Sequence, residues 1–349
     1  MSFTMQIYNF YFYIASDILK NLSTFYFSAA NHKRILNLQP ASSLPSPVGI
    51  IFVLFPASNV QYMKIKLLLA FILLPFCALA QERVTVKGRI IDEKGEAVEY
   101  VQLGMPRHQI GTISSVDGRF EIAVPRDTLV FYHISYQEAA YPVTGPADDV
   151  LIVLREQELP PAVSIGGNTK EKYLVSPGMK INEKLGCADF HRPGGGGKGA
   201  ELGCIAKTRK PFLIKDIQFT ILDNYIPGCV ASINVYRIKG DPESFINVLH
   251  KPIYVNIIES ETRQDYRIQP EETILLEPGR YFIALQIVAT DDDAVQKILD
   301  TPESERHPRA LHMFTALYFK SSYERYSAMG KMVKIPINIG VGVKGLEYQ

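Results

Sequence analysis

Between Arg83 and Arg155, apolar residues return at every second position in seven short runs. These are "RVTVKGRII" (83–91), "AVEYVQL" (97–103), "QIGTIS" (109–114), "RFEIAV" (119–124), "TLVFYHI" (128–134), "EAAYPV" (138–143) and "DVLIVL" (149–154). A period of two marks strands with one buried face. Lys94-Gly95, Pro106, Asp117-Gly118, Pro125 and Thr144-Gly145-Pro146 punctuate the runs. Seven short strands at this spacing predict a small all-β sandwich over 82–156.

The stretch "GTISSVDGRFEIAVP" (111–125) reads locally as a β-hairpin. Ile113 lies on one side of Asp117-Gly118, and Phe120, Ile122 and Val124 alternate with Arg119, Glu121 and Ala123 on the other. Asp-Gly suits a two-residue turn because such turns need φ > 0. Pro125 should end the second strand, since it has no N–H to give a ladder.

Alternating runs resume further on at 212–221, 230–238, 252–259, 265–269, 272–276, 280–289, 310–320 and 331–341. They predict a second, jelly-roll-like β-sandwich over 170–349, joined to the first by a linker at 157–169. Within it "DAVQKIL" (293–299) reads as a short helix capped by Asp292.

The N-terminal part is of another kind. In "MKIKLLLAFILLPFCALAQ" (63–81), Lys64 and Lys66 precede an apolar run from Leu67 to Leu79, and Ala78-Leu79-Ala80 is a small-x-small cleavage pattern. This predicts a signal peptide at 63–80, too short for a span of about 20 residues. Residues 1–62 hold twelve aromatics and four charged residues without sustained periodicity. They read as an upstream extension, with initiation expected at Met63; a genuine extension is the alternative. Phe76 before Cys77 does not fit a lipid-attachment box.

After cleavage the chain carries 32 basic and 35 acidic residues. That balance gives no electrostatic reason for nucleic-acid binding. Cys187, Cys204 and Cys229 remain. Three free thiols are the preferred reading, and one Cys187–Cys204 disulfide is the alternative in an oxidising compartment.

"GRIIDEKGEAVEYVQL", "GTISSVDGRFEIAVP", "LVFYHISYQ" and "VLIVLRE" resemble the carboxypeptidase-regulatory-like domain. The resemblance rests on Gly88, Asp92, Gly95, Val101, Gly111, Thr112, Asp117, Gly118, Phe120 and Tyr136, with Val98 and Ser135 departing from the pattern. It implies a transthyretin-like sandwich without catalytic residues of its own. It also implies kinship with the extension ahead of the plug in TonB-dependent receptors of Bacteroidetes-like bacteria. "ELPPAVSIGGN" (158–168) resembles the linker found there, but the remaining chain is too short for a plug and a 22-strand barrel. "ELGCIAKTRKPFLIKDIQFTI", "INVYRI" and "ILLEPGRYFIALQIV" resemble an uncharacterised domain that follows this module in secreted Bacteroidetes proteins.

Motifs for chemistry are sparse. "HRPGGGGKGAELG" (191–203) lacks the hydroxyl of a phosphate loop, because Gly199 follows Lys198, and Arg192 stands where the first Gly should be. It reads as an exposed loop; were it to order on a ligand, His191, Arg192 and Lys198 could meet an anion. Asp291, Asp292 and Asp293 lack EF-hand spacing and read as a solvated loop or helix start. His108, His133, His191, His250, His307 and His312 show no metal-helix spacing, and no G-x-S-x-G elbow occurs. Tyr132, Tyr136, Tyr141, Tyr225, Tyr254 and Tyr281 are the aromatic candidates for a sugar-binding face, weighed against ordinary packing.

No catalytic, metal or cofactor residue is assigned. The expected function is a non-catalytic interaction or scaffold protein of the bacterial envelope, exported and periplasmic or outer-membrane-associated. Its partner is an envelope protein or a polysaccharide. The alternative is carbohydrate binding on the second sandwich; a hydrolase within 170–349 is the third reading.

Overall fold

The computed structural model describes residues 83–158, 166–176, 187–189, 198–318 and 320–349. The signal peptide, the upstream extension, most of the "ELPPAVSIGGN" linker, His191 and Arg192 lie outside the described residues. Arg83–Gln349 is one compact unit and nearly all β.

Seven strands come first: β1 (Val84–Asp92), β2 (Gln102–Met105), β3 (Ile110–Ile113), β4 (Arg119–Val124), β5 (Thr128–Tyr132), β6 (Ala139–Pro142) and β7 (Ala147–Leu154). They form a three-stranded sheet β4-β1-β7 and a four-stranded sheet β3-β2-β5-β6. The pair β1–β7 is parallel and β1–β4 antiparallel. Phe120 of one sheet meets Phe131 of the other edge to face, ring centroids 5.4 Å apart. Around them Val86, Ile90, Leu103, Leu129 and Leu154 are fully buried. Gly88 makes this contact sterically feasible: a Cβ there would stand 2.1 Å from the Val150 carbonyl and 2.9 Å from the Phe120 ring.

The expected hairpin needs correction. The reversal exists: Gly118 N–H donates to Ser115 O (3.0 Å), Ser115 N–H donates to Arg119 O (2.9 Å), and Gly118 has φ +77°. This is a three-residue loop, a type I turn closed by glycine, not a two-residue turn. Moreover, β3 pairs with β2 while β4 pairs with β1, so the turn carries the chain from one sheet to the other. Burial decides the split, because Ile113 packs against Val288 and Ala328 of the second sandwich, whereas Phe120 faces the first core. The second predicted run is also displaced. Tyr100 has φ +51°, which interrupts 97–103 and delays β2 to Gln102.

The remaining strands are β8 (Thr169–Val175), β9 (Cys187–Asp189), β10 (Glu201–Thr208), β11 (Phe212–Asn224), β12 (Val230–Lys239), β13 (Ser244–Asn247), β14 (Ile253–Asn256), β15 (Gln264–Ile268), β16 (Ile274–Leu276), β17 (Gly279–Ala289), β18 (Met313–Tyr318), β19 (Ser322–Arg325), β20 (Val333–Ile335), β21 (Asn338–Ile339) and β22 (Gly342–Tyr348). One sheet runs β13-β12-β17-β10-β19-β20 with β14 on β12. The other runs β21-β18-β11-β22-β8 with β15, β16 and β9 attached. Ile233, Val235, Ile283 and Leu285 from the first of these sheets share a core with Phe212, Ile217, Ile221 and Val343 from the second.

β10 lies outside the runs predicted above for the second sandwich. It pairs with β17 and β19 and is buried along most of its length, so no polar face breaks its sequence into an alternating pattern. The helix, α1 (Asp292–Asp300), extends one residue beyond each predicted end. Its cap is Asp291, not Asp292: the Asp291 carboxylate accepts the Ala294 N–H at 3.0 Å.

The two sandwiches meet over a packed junction. Tyr100 and Tyr254 stand edge to face at 4.8 Å, Gln102 Nε2 donates to Gln286 Oε1 (3.2 Å), and Ser135 Oγ donates to His250 O (3.1 Å). Gly111 lies so close to Met329 that a Cβ would fall 2.6 Å from its backbone nitrogen.

Candidate binding cleft

At one end of the second sandwich three connections converge: β11–β12, β14–β15 and the excursion from α1 to β18. Asn224 organises the first two. Its amide donates to the carbonyls of Ile226 (3.3 Å), Ile257 (3.4 Å) and Ile258 (3.3 Å), and its Oδ1 accepts the Ile226 N–H (3.0 Å). Asn224 and Ser260 also exchange two backbone hydrogen bonds. A buried amide with this many partners fixes both loops at once.

The third connection is held by two arginines. The Arg306 guanidinium donates to Thr301 O (2.6 Å) and Leu299 O, meeting carbonyls at the C-terminal end of α1. Arg309 pairs with Asp223 and lies 5.4 Å over the Phe314 ring. Its backbone N–H donates to His307 Nδ1 (3.2 Å), so the neutral imidazole carries its proton on Nε2.

These anchors place His307 on Tyr225. The rings are stacked, with centroids 4.7 Å apart and planes at 22°. Tyr225 is fixed through its backbone, donating to His312 O (2.8 Å) and accepting from Leu311 N (3.2 Å). The stack lines an open cleft of about 550 Å³ with Asn224, Glu259, Ser260, Glu261 and Glu305. An aromatic surface with a few polar groups in a cleft of this size suits a small or chain-like organic ligand. Among the described residues no group of His, Cys, Asp and Glu could hold a metal ion.

Of the six tyrosines singled out from sequence, only Tyr225 joins this cleft. Tyr281 is buried and donates to Glu277 O (2.7 Å), so it is core. Tyr254 belongs to the junction, where burial pushes its phenol up. Tyr132, Tyr136 and Tyr141 are half-buried on the first sandwich. The other histidines are dispersed. His108 pairs with Asp127 (3.0 Å), His133 with Tyr254 (3.3 Å), and the His312 ring stacks on Phe314. Lys198 is engaged by Asp292 (2.6 Å), and residues 201–203 of the expected glycine-rich loop belong to β10. Cys204 and Cys229 are free and buried, while the Cys187 side chain, the other half of the alternative bridge, lies outside what is described. Burial pushes both thiols up to about 12, far from nucleophilic use.

Asn224, Ser260 and Glu305 were not singled out from sequence. Asn224 adjoins Tyr225, but Ser260 and Glu305 come from segments dozens of residues away, and no local spacing links them to it.

No family model matches the chain, and no curated protein matches it. Among solved structures it is similar to a DUF3823 family protein from Bacteroides ovatus ATCC 8483, with 11% identity over 59% of this chain and 97% of that one, at a TM-score of 0.18. It is also similar to a DUF3823 family protein from Parabacteroides merdae ATCC 43184, with 10% identity over 74% of this chain and 98% of that one, again at 0.18. Likeness at this level transfers no function.

Proposed function

We propose that the chain is a non-catalytic binding protein that takes a carbohydrate in the cleft at the end of the second sandwich. The observation that carries this reading is the Tyr225–His307 stack in an open cleft edged by Ser260, Glu259 and Glu305. Sugar rings offer an apolar C–H face to an aromatic plane and hydroxyls to carboxylate and hydroxyl neighbours. The test is affinity electrophoresis of the full chain through gels containing neutral polysaccharides. Retardation by at least one glycan, lost in Tyr225→Ala and His307→Ala with unchanged circular dichroism, supports the reading. Equal migration of the parent and both variants in every gel overturns it.

A second reading assigns the first sandwich to the carboxypeptidase-regulatory-like modules of exported envelope proteins. It is favoured by what the motif residues do. Asp92 Oδ1 accepts the N–H groups of Lys94 and Glu96 (both 2.9 Å), and Gly95 and Gly118 occupy positive φ. The module would then be a scaffold fixed to the glycan-binding sandwich. A cross-linked pull-down from the native envelope tests it; recovery of the protein alone counts against a scaffold role. Among the described residues no helix is long and apolar enough to cross a membrane.

A further inference from the structure

A chain of amides runs beneath the junction, and its ends fix every orientation along it. Leu249 N–H donates to Asn247 Oδ1 (3.2 Å), so Asn247 Nδ2 faces Asn234 Oδ1 (3.1 Å). Asn234 Nδ2 donates to Glu201 Oε1 (2.8 Å), a carboxylate that can only accept, and to Gln286 Oε1 (3.3 Å). Gln102 Nε2 donates to the same Gln286 oxygen (3.2 Å). Turning the Gln286 amide over would set its NH2 group against that of Asn234. Its Nε2 is therefore a fixed donor, fully buried, and nothing among the described residues accepts from it. A buried donor left in this way is costly.

The same accounting finds a second donor nearby. His133 Nδ1 accepts the Ser135 N–H (3.2 Å), so Nε2 carries the ring proton and donates to Tyr254 Oη (3.3 Å). The Tyr254 hydroxyl is thus an acceptor toward His133, and its own proton must go elsewhere. Gln286, Tyr254 and His133 line one small cavity, together with Gln102, Tyr132 and Ser232. The cavity offers about 20 Å³ to the centre of a water molecule, where one water needs roughly 10–15 Å³.

We propose that this cavity is the site of one internal water, which accepts from Gln286 Nε2 and Tyr254 Oη and bridges the two sandwiches. Gln286, Tyr254 and Ser232 belong to β17, β14 and β12 of the second sandwich, whereas Gln102 and Tyr132 belong to β2 and β5 of the first. Water suits the site because it accepts two hydrogen bonds and gives two. The Ser232 and Tyr132 hydroxyls can take its protons. An ion suits it less. A cation would face two donors, and Glu201, one amide away, is paired with Arg325 (2.6 Å), so no net charge calls for an anion. The bound water lets a polar junction close without leaving an unpaired group inside it.

The experiment is a high-resolution crystal structure of the full chain grown with bromide. The expected result is a well-ordered oxygen peak within about 3.2 Å of both Gln286 Nε2 and Tyr254 Oη, without anomalous bromide signal. Water-oxygen relaxation dispersion then counts the slowly exchanging internal waters in solution. Ser232→Val, which puts methyl groups into the cavity, should lower that count by about one. Tyr254→Phe withdraws one donor and should shorten the residence time of the water, a readout that stands even where the valine variant does not fold. A cavity without a peak overturns the proposal. So does a bromide in it, and so does dispersion unchanged in both variants. Glycan retention in the cleft is a separate readout, so the two proposals fail independently.

Discussion

Arg325 Nη2 lies 2.6 Å from Glu201 Oε2, and the Glu201 side chain is fully buried. Glu201 Oε1 also accepts from Asn234 Nδ2 (2.8 Å), while Arg325 donates to the Tyr236 hydroxyl (3.1 Å). The pair joins β10 to β19 beneath the junction. Removing one partner strands a charge away from water. Glu201→Gln should cost about 3–5 kcal/mol in urea unfolding, and Glu201→Leu/Arg325→Met should recover most of that loss.

His133 makes stability fall in acid. Its Nδ1 accepts the Ser135 N–H (3.2 Å), its Nε2 faces Tyr254 Oη (3.3 Å), and burial pushes its pKa down to about 4. The unfolded imidazole titrates near 6.5. Between these values the unfolded chain holds a proton that the folded chain rejects. The contribution is therefore complete above about pH 6.5 and is lost as the pH falls toward 4. Urea unfolding at about pH 7.5 and about pH 4.5 should differ by roughly 2–3 kcal/mol more in the parent than in His133→Gln.

Gly95 and Gly118 separate backbone strain from crowding. Both have positive φ, but a Cβ on Gly95 meets nothing within 4 Å, whereas one on Gly118 stands 2.3 Å from Ile90 O. Gly95→Ala should cost about 1 kcal/mol and Gly118→Ala clearly more, roughly 2–4 kcal/mol. Thermal melts of the two variants side by side decide the order.

The cleft should discriminate by charge. Glu259, Glu261 and Glu305 line it, and the guanidinium of Arg306, the lining arginine, is committed to backbone carbonyls. An acidic polysaccharide should bind about tenfold more weakly than its neutral counterpart, and added salt should narrow the gap. Affinity electrophoresis at two ionic strengths measures it.

Cys204 and Cys229 should react with a thiol reagent only on unfolding. In a Cys77→Ser/Cys187→Ser background the native chain should release almost no chromophore, and denaturation should expose both thiols.

Much of the fold was legible in local pattern. The period-two runs located β1 and β4 through β7 within a residue or two, because each has one face in a core and one toward solvent. β10 was not legible, because the same burial that makes it central removes the alternation. Asp291 and Asp292 were interchangeable in sequence; only the helix start shows that Asp291 caps while Asp292 binds Lys198. Of the cleft, Tyr225 was visible as a candidate, but His307 was one histidine among several until the loops closed.

What the sequence determined by itself was strand character, turn positions and an all-β class, since these depend on neighbours a few residues away. The tertiary structure alone decided which strands share a sheet. Asp117-Gly118 dictates a reversal, but the sheet that each flanking strand joins depends on where Ile113 and Phe120 bury their side chains. That choice is made by residues up to about two hundred positions distant, and no local propensity encodes it.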